Sequence, residues 1–179
     1  MQKTTKLNQL KKQAGASLME LIAYLSVAAV VVVGALALYN SATSSQQTTQ
    51  LTQDLAAVRA AVKQVWQGQG SFGANGTNLN NVLVSAKRIP TTIRVDTSTN
   101  PNTLTHMANG TMNITSAVTS FNVAITNIGA DLCIPLLTGA NGWISVSVGG
   151  GAPITSFPID PGTATTACAS GTTMTFLGN

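Results

Sequence analysis

The chain has 179 residues, and only 8% of them are charged, with 9 Lys and Arg against 5 Asp and Glu. Four lysines precede Gly15, and the five basic and five acidic side chains after it cancel, so the net charge of +4 describes the N-terminal leader. This balance excludes a basic nucleic-acid-binding surface. Cytosolic domains carry about 25% charged residues, so the low charge favours an extracellular, β-rich domain.

The N-terminal segment combines a basic leader with a glutamate at the start of an apolar run. Lys11 and Lys12 precede Gly15, and Glu20 lies five residues after that glycine. The lysines are interpreted as a cytoplasmic flank that follows the positive-inside rule. A carboxylate costs roughly 2.5–3.5 kcal/mol at the centre of a bilayer and less near its surface. This cost is explained if the chain moves from a membrane into an assembly where a partner neutralises Glu20.

The apolar run covers residues 21–38 and carries no formal charge. An uncharged segment of this length is in the range that spans a bilayer. The triplet Ala35-Leu36-Ala37 leaves an alternative open, because an ordinary secretory signal would be cut after Ala37. The length of the run and the position of Glu20 favour a retained helix over that alternative.

A single helix is predicted over residues 17–66, well beyond the apolar run. Its second half has apolar residues at spacings of 4, 3, 4 and 3, namely Leu51, Leu55, Val58, Val62 and Val65. This spacing is typical of an amphipathic helix. Asp54, Arg59 and Lys63 are assigned to the opposite face. We expect the apolar face to pack on the sheet of a head domain, while a coiled-coil seam and a surface helix remain alternatives.

Residues 69–179 are predicted to form one β-rich head domain. A connecting region at 71–110 holds short elements at 79–84 and 89–95. Residues 128–137 are predicted as a short helix or turn. Predicted strands cover residues 121–125, 143–148 and 172–177, the second introduced by a turn at Asn141 and Gly142. The predicted fold class is therefore α+β, a long N-terminal helix packed on an antiparallel β-sheet head.

Two cysteines, Cys133 and Cys168, lie in the last third of the chain. In an exported protein two cysteines most simply form one disulfide, and buried thiols are the alternative. A disulfide that closes a loop of this size would stabilise the folded domain by roughly 3–4 kcal/mol. There is no C-x-x-C spacing and no histidine cluster, so neither a metal site nor a redox site is predicted.

No enzyme is predicted from the remaining candidates. His106 is the single histidine and has no obvious partner in the sequence, so it is interpreted as a surface residue. The five acids are scattered and offer no pair of carboxylates for acid–base catalysis. Gly149, Gly150 and Gly151 lack the context of a phosphate loop and are interpreted as a turn. We predict no catalytic residue and no cofactor.

The segment Gly15-Ala16-Ser17-Leu18-Met19-Glu20, with its upstream lysines, resembles the prepilin-peptidase site of type IV pilins. The resemblance implies that a membrane peptidase cuts between Gly15 and Ala16 and that Ala16 is then N-methylated. It also implies that Glu20 pairs with the amine of Ala16 in a neighbouring subunit. The family's order of parts would make residues 1–15 a cleaved leader, 16–68 the N-terminal helix with 21–38 as its membrane-spanning part, and 69–179 the head.

Within that family the chain is most similar to the type IVb branch of bundle-forming, toxin-coregulated and conjugative thin-pilus subunits. The segments at 129–133 and 165–176, each holding one cysteine, carry this resemblance. The chain departs from the family pattern at Ala16, where a large apolar or aromatic residue is usual.

The resemblance implies a major structural subunit that polymerises with copies of itself into an extracellular filament. Its implied partners are the prepilin peptidase and the inner-membrane assembly machinery, and the precursor would reside in the inner membrane of a Gram-negative cell. The filament would serve adhesion, aggregation or mating-pair contact. A minor pilin and a secretion-system pseudopilin remain alternatives, as does a secreted binding domain with an ordinary signal.

Overall fold

The computed structural model describes residues 18–179. The predicted cleavage site at Gly15 and Ala16 therefore lies outside the described residues. The chain divides into two compact units, Met1–Ala42 and Thr43–Asn179, the first of which is described from residue 18 onwards. Helix α1 (Leu18–Val65) agrees closely with the predicted helix at 17–66.

The described residues contain four helices and six strands. The helices are α1 (Leu18–Val65), α2 (Asn80–Ser85), α3 (Ala130–Thr138) and α4 (Pro161–Cys168). The strands are β1 (Arg94–Asp96), β2 (Thr103–Thr105), β3 (Thr111–Ser116), β4 (Phe121–Ile125), β5 (Ser145–Val148) and β6 (Met174–Gly178). The strands form one sheet in the order β1-β2-β3-β4-β6-β5. Every neighbouring pair is antiparallel.

The last strand, β6, occupies an interior position of the sheet, between β4 and β5. Phe176 of β6 is opposite Val123 of β4 on one side and Val146 of β5 on the other. Alternate residues of β4 and β6 are buried, as a sheet with one face on a core requires. The α+β prediction, a long helix packed on an antiparallel sheet, is confirmed.

The second half of α1 covers the buried face of the sheet. Its apolar side chains Leu51, Leu55, Val58 and Val62 are buried, and Val65 is partly buried. Burying a side chain of this size contributes about 1.5–3 kcal/mol. In the described structure this face is the core of the head domain, as predicted, rather than a coiled-coil seam or a solvent-facing surface.

Asp54 corrects the prediction, because it lies on the buried face of α1 with 2% of its surface exposed. A residue three positions after Leu51 and four before Val58 shares their side of a helix. The Asp54 Oδ1 atom accepts hydrogen bonds from Gln50 Nε2 at 2.9 Å and from Thr92 Oγ1 at 2.6 Å. These bonds offset part of the cost of burying the carboxylate. Asp54 thus ties the helix to the connecting region.

The connecting region at 71–110 has more regular structure than the sequence predicted. Helix α2 matches the predicted element at 79–84 to within one residue, but β1 overlaps only the end of the element at 89–95. Strand β2 was not predicted, because Leu104 is its single apolar residue and Pro101 precedes it closely.

Strand β3 and helix α4 were also absent from the prediction. In β3 the alternation of buried Met112 and Ile114 with polar residues is a genuine strand signal that sequence reasoning missed. Helix α4 has small polar residues without apolar periodicity. Its start is nevertheless marked in the sequence, since Asp160 caps the helix and Pro161 occupies the first turn.

The two cysteines form a disulfide that joins α3 to α4. The Cα atoms of Cys133 and Cys168 are 5.9 Å apart, and both residues are buried. The alternative of two buried thiols is therefore wrong for this structure. The bond closes a loop that contains β5. It ties α3 to α4, the helix that directly precedes β6, and β6 lies between β4 and β5 in the sheet.

His106 is a second correction, since it is 2% exposed instead of lying on the surface. Its Nε2 atom is 3.0 Å from the carbonyl oxygen of Thr126, and a carbonyl only accepts, so Nε2 carries the hydrogen. Burial lowers the pKa of His106, although the Thr126 hydrogen bond and the charge of Asp54 act in the opposite direction. The sequence missed this burial because Thr126 is far away along the chain.

Candidate assembly surfaces

The first surface is the exposed apolar segment, residues 18–39 of α1. Its large apolar side chains are between 53% and 83% exposed. They are Leu18, Met19, Leu21, Ile22, Tyr24, Leu25, Val27, Val30, Val31, Val32, Val33, Leu36, Leu38 and Tyr39. In the described part of the chain, α1 is the helix long and apolar enough to cross a membrane. Such a surface is stable only when lipid or other apolar helices cover it.

The exposed apolar segment presents apolar residues on every side of the helix. Four consecutive valines, Val30 to Val33, point in four directions about 100° apart. A helix that is apolar all round belongs in a membrane or in a core of packed helices. This arrangement differs from the second half of α1, where one face alone is apolar and that face is covered by the sheet.

Glu20 lies in the first turn of the exposed apolar segment. The Tyr24 hydroxyl group donates to Glu20 Oε1 at 3.4 Å, one helical turn further on. An acid in the first turn of a helix interacts favourably with the helix dipole. Because Ala16 lies outside the described residues, the predicted pairing of Glu20 with the Ala16 amine stays a prediction.

The second surface is the α1–α3 edge, formed by residues 44–59 of α1 and 130–141 at and after α3. At one end the Ser44 hydroxyl donates to Asp131 Oδ2 at 2.8 Å, and Asp131 is in the first turn of α3. At the other end, a cleft of about 80 Å³ separates the two elements. The cleft is lined by Thr52, Leu55, Ala56, Arg59, Leu136, Gly139, Ala140, Asn141, Trp143 and Phe176.

Arg59 lies in this cleft, and sequence reasoning gave it no role beyond a polar helix face. Its guanidinium carbon is 5.4 Å from the centroid of the Trp143 ring, within cation–π range. Its Nε atom is buried and has no hydrogen-bond acceptor among the described residues. The ring is held in place by Phe121 and Phe176, whose centroids are 6.3 and 5.2 Å away.

The glycine at position 142 leaves room for this arginine. Gly142 has a φ of +82°, and a Cβ atom there would be 2.5 Å from Arg59 Nη1. The turn at Asn141 and Gly142 therefore lets the guanidinium group approach its backbone closely. Among residues 18–179 no group of three His, Cys, Asp or Glu side chains is placed to bind a metal ion.

Comparison with known proteins identifies the family. A family model described as PilS N terminal matches residues 45–179. The fold resembles a type IV b pilin from Salmonella typhi, with 18% identity over 75% of this chain and 99% of that one, at a TM-score of 0.57. It also resembles TcpA, a type IV pilin from the El Tor biotype of Vibrio cholerae, with 19% identity, the same coverage and a TM-score of 0.53. No curated protein sequence matches the chain.

The family match covers more than half of the chain, including the amphipathic half of α1 and the whole head. At these low identities the two solved structures show a shared fold, a long helix packed on an antiparallel sheet. The disulfide between α3 and α4 and a membrane-capable helix at the N-terminus accompany that fold. The chain belongs to the PilS N-terminal family and is a type IV pilin of the type IVb branch, a subunit of a pilus.

Proposed function

We propose that this chain is the major structural subunit of an extracellular pilus and that it polymerises through the exposed apolar segment. The observation that carries the proposal is the change of environment along α1. Residues 51–62 bury one face in the head, whereas the apolar side chains of residues 18–39 are exposed all round. A bundle of such segments from many copies would bury them as completely as a bilayer does.

The proposal includes a membrane-anchored precursor. The inner membrane would hold the exposed apolar segment until the assembly machinery extracts the subunit. The prepilin peptidase would first remove residues 1–15 by cutting between Gly15 and Ala16, and Ala16 would be N-methylated. Support comes from the motif at 15–20 and from the membrane-spanning capacity of the helix that follows it.

Glu20 would set the register of the subunits in the filament. A carboxylate buried without a partner costs several kcal/mol, so an incoming subunit would be favoured where its amine at Ala16 reaches Glu20 of a neighbour. Of residues 18–53, Glu20 is the single one with a formal charge, which makes any such pairing selective.

The head surface would serve adhesion, aggregation or mating-pair contact. The head has few charged side chains, and Asp54 of α1, which packs against the head, is buried. A surface near neutrality opposes lateral association weakly. Filaments of this protein should therefore bundle at low ionic strength with little electrostatic resistance.

The test is replacement of Glu20 by Ala in the full-length chain, with surface filaments counted by electron microscopy. We expect no filaments, while the protein remains in the membrane with its disulfide formed. Tyr24→Phe is the matched control, because it removes the hydroxyl group that contacts Glu20 and keeps the carboxylate. Normal piliation by the Glu20 variant would overturn the proposed role of Glu20.

Mass spectrometry of the surface protein tests the processing step. A chain that begins at methylated Ala16 supports it, and one that begins at Leu38 contradicts it. Copy number in isolated filaments distinguishes a major subunit from a minor pilin, because the former must account for nearly all of the filament mass.

A further inference from the structure

Three asparagines of the head are each followed by a glycine, a dipeptide with its own chemical reactivity. The pairs are Asn75-Gly76, Asn109-Gly110 and Asn141-Gly142. A glycine has no side chain to hinder its backbone nitrogen, so this nitrogen can attack the side-chain amide carbon of the asparagine before it. The attack requires that the glycine N–H loses its proton and that the backbone can move towards the side chain. The three pairs meet these requirements to different degrees.

The glycine backbone of the first two pairs is held by the sheet. The Gly76 N–H donates to the carbonyl oxygen of Ser116 at 2.8 Å, which shields its proton and fixes its nitrogen. Gly110 is buried, and a Cβ atom there would overlap the carbonyl oxygen of Thr126. Backbone groups held in this way react only through local opening. Asn75 is therefore expected to react slowly, although its side chain is exposed.

The third pair is held far less. Asn141 and Gly142 are both exposed, and they lie between α3 and β5, outside the helices and strands. The Asn141 N–H donates to the carbonyl oxygen of Gly139 at 2.8 Å. The Gly142 N–H, by contrast, donates to no acceptor among residues 18–179. The nitrogen that must react is thus accessible to water and base.

Arg59 adds an electrostatic reason for reaction at this pair. A Cβ atom at Gly142 would be 2.5 Å from Arg59 Nη1, so the cation lies beside the Gly142 backbone. The contact of the guanidinium group with the Trp143 ring keeps it there. The attacking nitrogen is an amide anion, and the intermediate that it forms is negatively charged. A neighbouring cation favours both charged species over the neutral amide.

We propose that Asn141 is a site of spontaneous deamidation and that Arg59 promotes the reaction. The Gly142 nitrogen attacks Cγ of Asn141, a C–N bond forms, and the side-chain amide leaves as ammonia, which carries away the proton of the Gly142 N–H. Water then hydrolyses the cyclic succinimide at one of its two carbonyl groups. The product is an aspartate or an isoaspartate at position 141, and no oxidant or reductant is needed.

The product changes the charge of the subunit. Five basic and five acidic side chains follow Gly15, so one deamidation gives this part of the chain a net side-chain charge of 5 − 6 = −1. The new carboxylate lies on the cleft that Arg59 also lines. Filaments built from such subunits accumulate negative charge with age and bundle less readily. This consequence for bundling rests on the proposed function, whereas the deamidation itself does not.

Peptide mapping by mass spectrometry tests the site in the full-length protein in detergent. The folded protein is incubated at pH 8, and conversion at the three asparagines is followed in the same digest, so that each serves as a control for the others. We expect Asn141 to react faster than Asn75 and Asn109 by about tenfold or more, because the other two react only after local opening. In urea with the disulfide reduced, the three rates should become similar.

Two results would overturn the site. One is conversion in the folded protein that is equal at the three asparagines or fastest at Asn75 or Asn109. The other is an equally large preference for Asn141 in the unfolded chain, because the selectivity would then come from the neighbouring sequence and not from the fold. A chain that deamidates at Asn141 but forms no filaments contradicts the proposed function and leaves this inference intact.

Arg59→Gln tests the contribution of the cation and should slow conversion at Asn141 by about fivefold. Arg59→Lys keeps the charge and should react at nearly the wild-type rate. Lys63→Gln is the matched control, because Lys63 is a cation of α1 that does not line the cleft, and it should leave the rate unchanged. Disulfide formation and protease resistance report folding in each variant. An unchanged rate in folded Arg59→Gln, or an equal loss in Arg59→Lys, overturns the role of the Arg59 charge.

Discussion

The Nε2 atom of His106 donates to the carbonyl oxygen of Thr126 across 3.0 Å and so ties the end of β2 to the end of β4. His106 is buried and Thr126 is half-buried, and Gly110 makes the contact possible. A Cβ atom at position 110 would overlap the Thr126 oxygen and lie 2.6 Å from His106 Nε2. A histidine that the sequence suggested was on the surface is therefore part of the packing of the head.

The stability of the head should decrease at acidic pH because of His106. Burial lowers the pKa of this imidazole below its ordinary value of 6.5, so the unfolded chain binds the proton more readily than the folded one. The stabilising contribution of neutral His106 to the free energy of unfolding is complete above pH 6.5. It is lost as the pH falls through that value towards the pKa of the folded protein. Urea unfolding at pH 7.5 and pH 5 should show a lower free energy of unfolding at pH 5.

The matched control for this pH effect is His106→Gln, which has an amide in place of the titrating ring. It should be less stable at neutral pH, and its stability should change less between the two pH values. An equal or larger change in the variant would show that other groups dominate the acid response.

Replacement of Gly110 by Ala should destabilise the head by roughly 1–3 kcal/mol, because an added methyl group overpacks the site between His106 and Thr126. Gly70→Ala is a suitable control, since a Cβ atom there meets nothing within 4 Å. Chemical denaturation of both variants checks the difference. Equal stability of the two would contradict the close approach at Gly110.

Asp54→Ala should cost roughly 1–3 kcal/mol, because Gln50 and Thr92 both lose their acceptor at Oδ1. Thr92→Val removes one of the two donors and should cost less. Thermal or urea unfolding of the two variants gives the order of their stabilities. A Thr92→Val variant that is less stable than Asp54→Ala would contradict the prediction that the Asp54 carboxylate contributes more to stability than the Thr92 hydroxyl group.

Loss of the disulfide should lower the stability of the head by roughly 3–4 kcal/mol. The bridged residues, Cys133 and Cys168, are 35 positions apart. The double variant Cys133→Ser and Cys168→Ser tests this, and reduction of the wild-type protein should produce a similar loss. A stable reduced protein would mean that α3 and α4 are held chiefly by their packing.

The residues of α1 show what local pattern can predict. The uncharged run at 21–38 and the apolar spacing from Leu51 to Val65 predicted the helix, its two environments and its packing on a sheet. Periodicity is a local property, because the spacing of apolar residues within a few turns of the chain is enough to recognise a helix. The alternation in β4 and the turn at Asn141 and Gly142 were readable for the same reason.

The roles of Asp54, His106 and Arg59 were decided by the tertiary structure. The partner of Asp54 at Thr92 is 38 positions away, that of His106 at Thr126 is 20 away, and the Trp143 platform of Arg59 lies on a different element. Burial of a polar side chain depends on partners that only folding brings together. The sequence by itself determined the helix, the fold class and the apolar segment, whereas distant contacts decided which polar groups are buried.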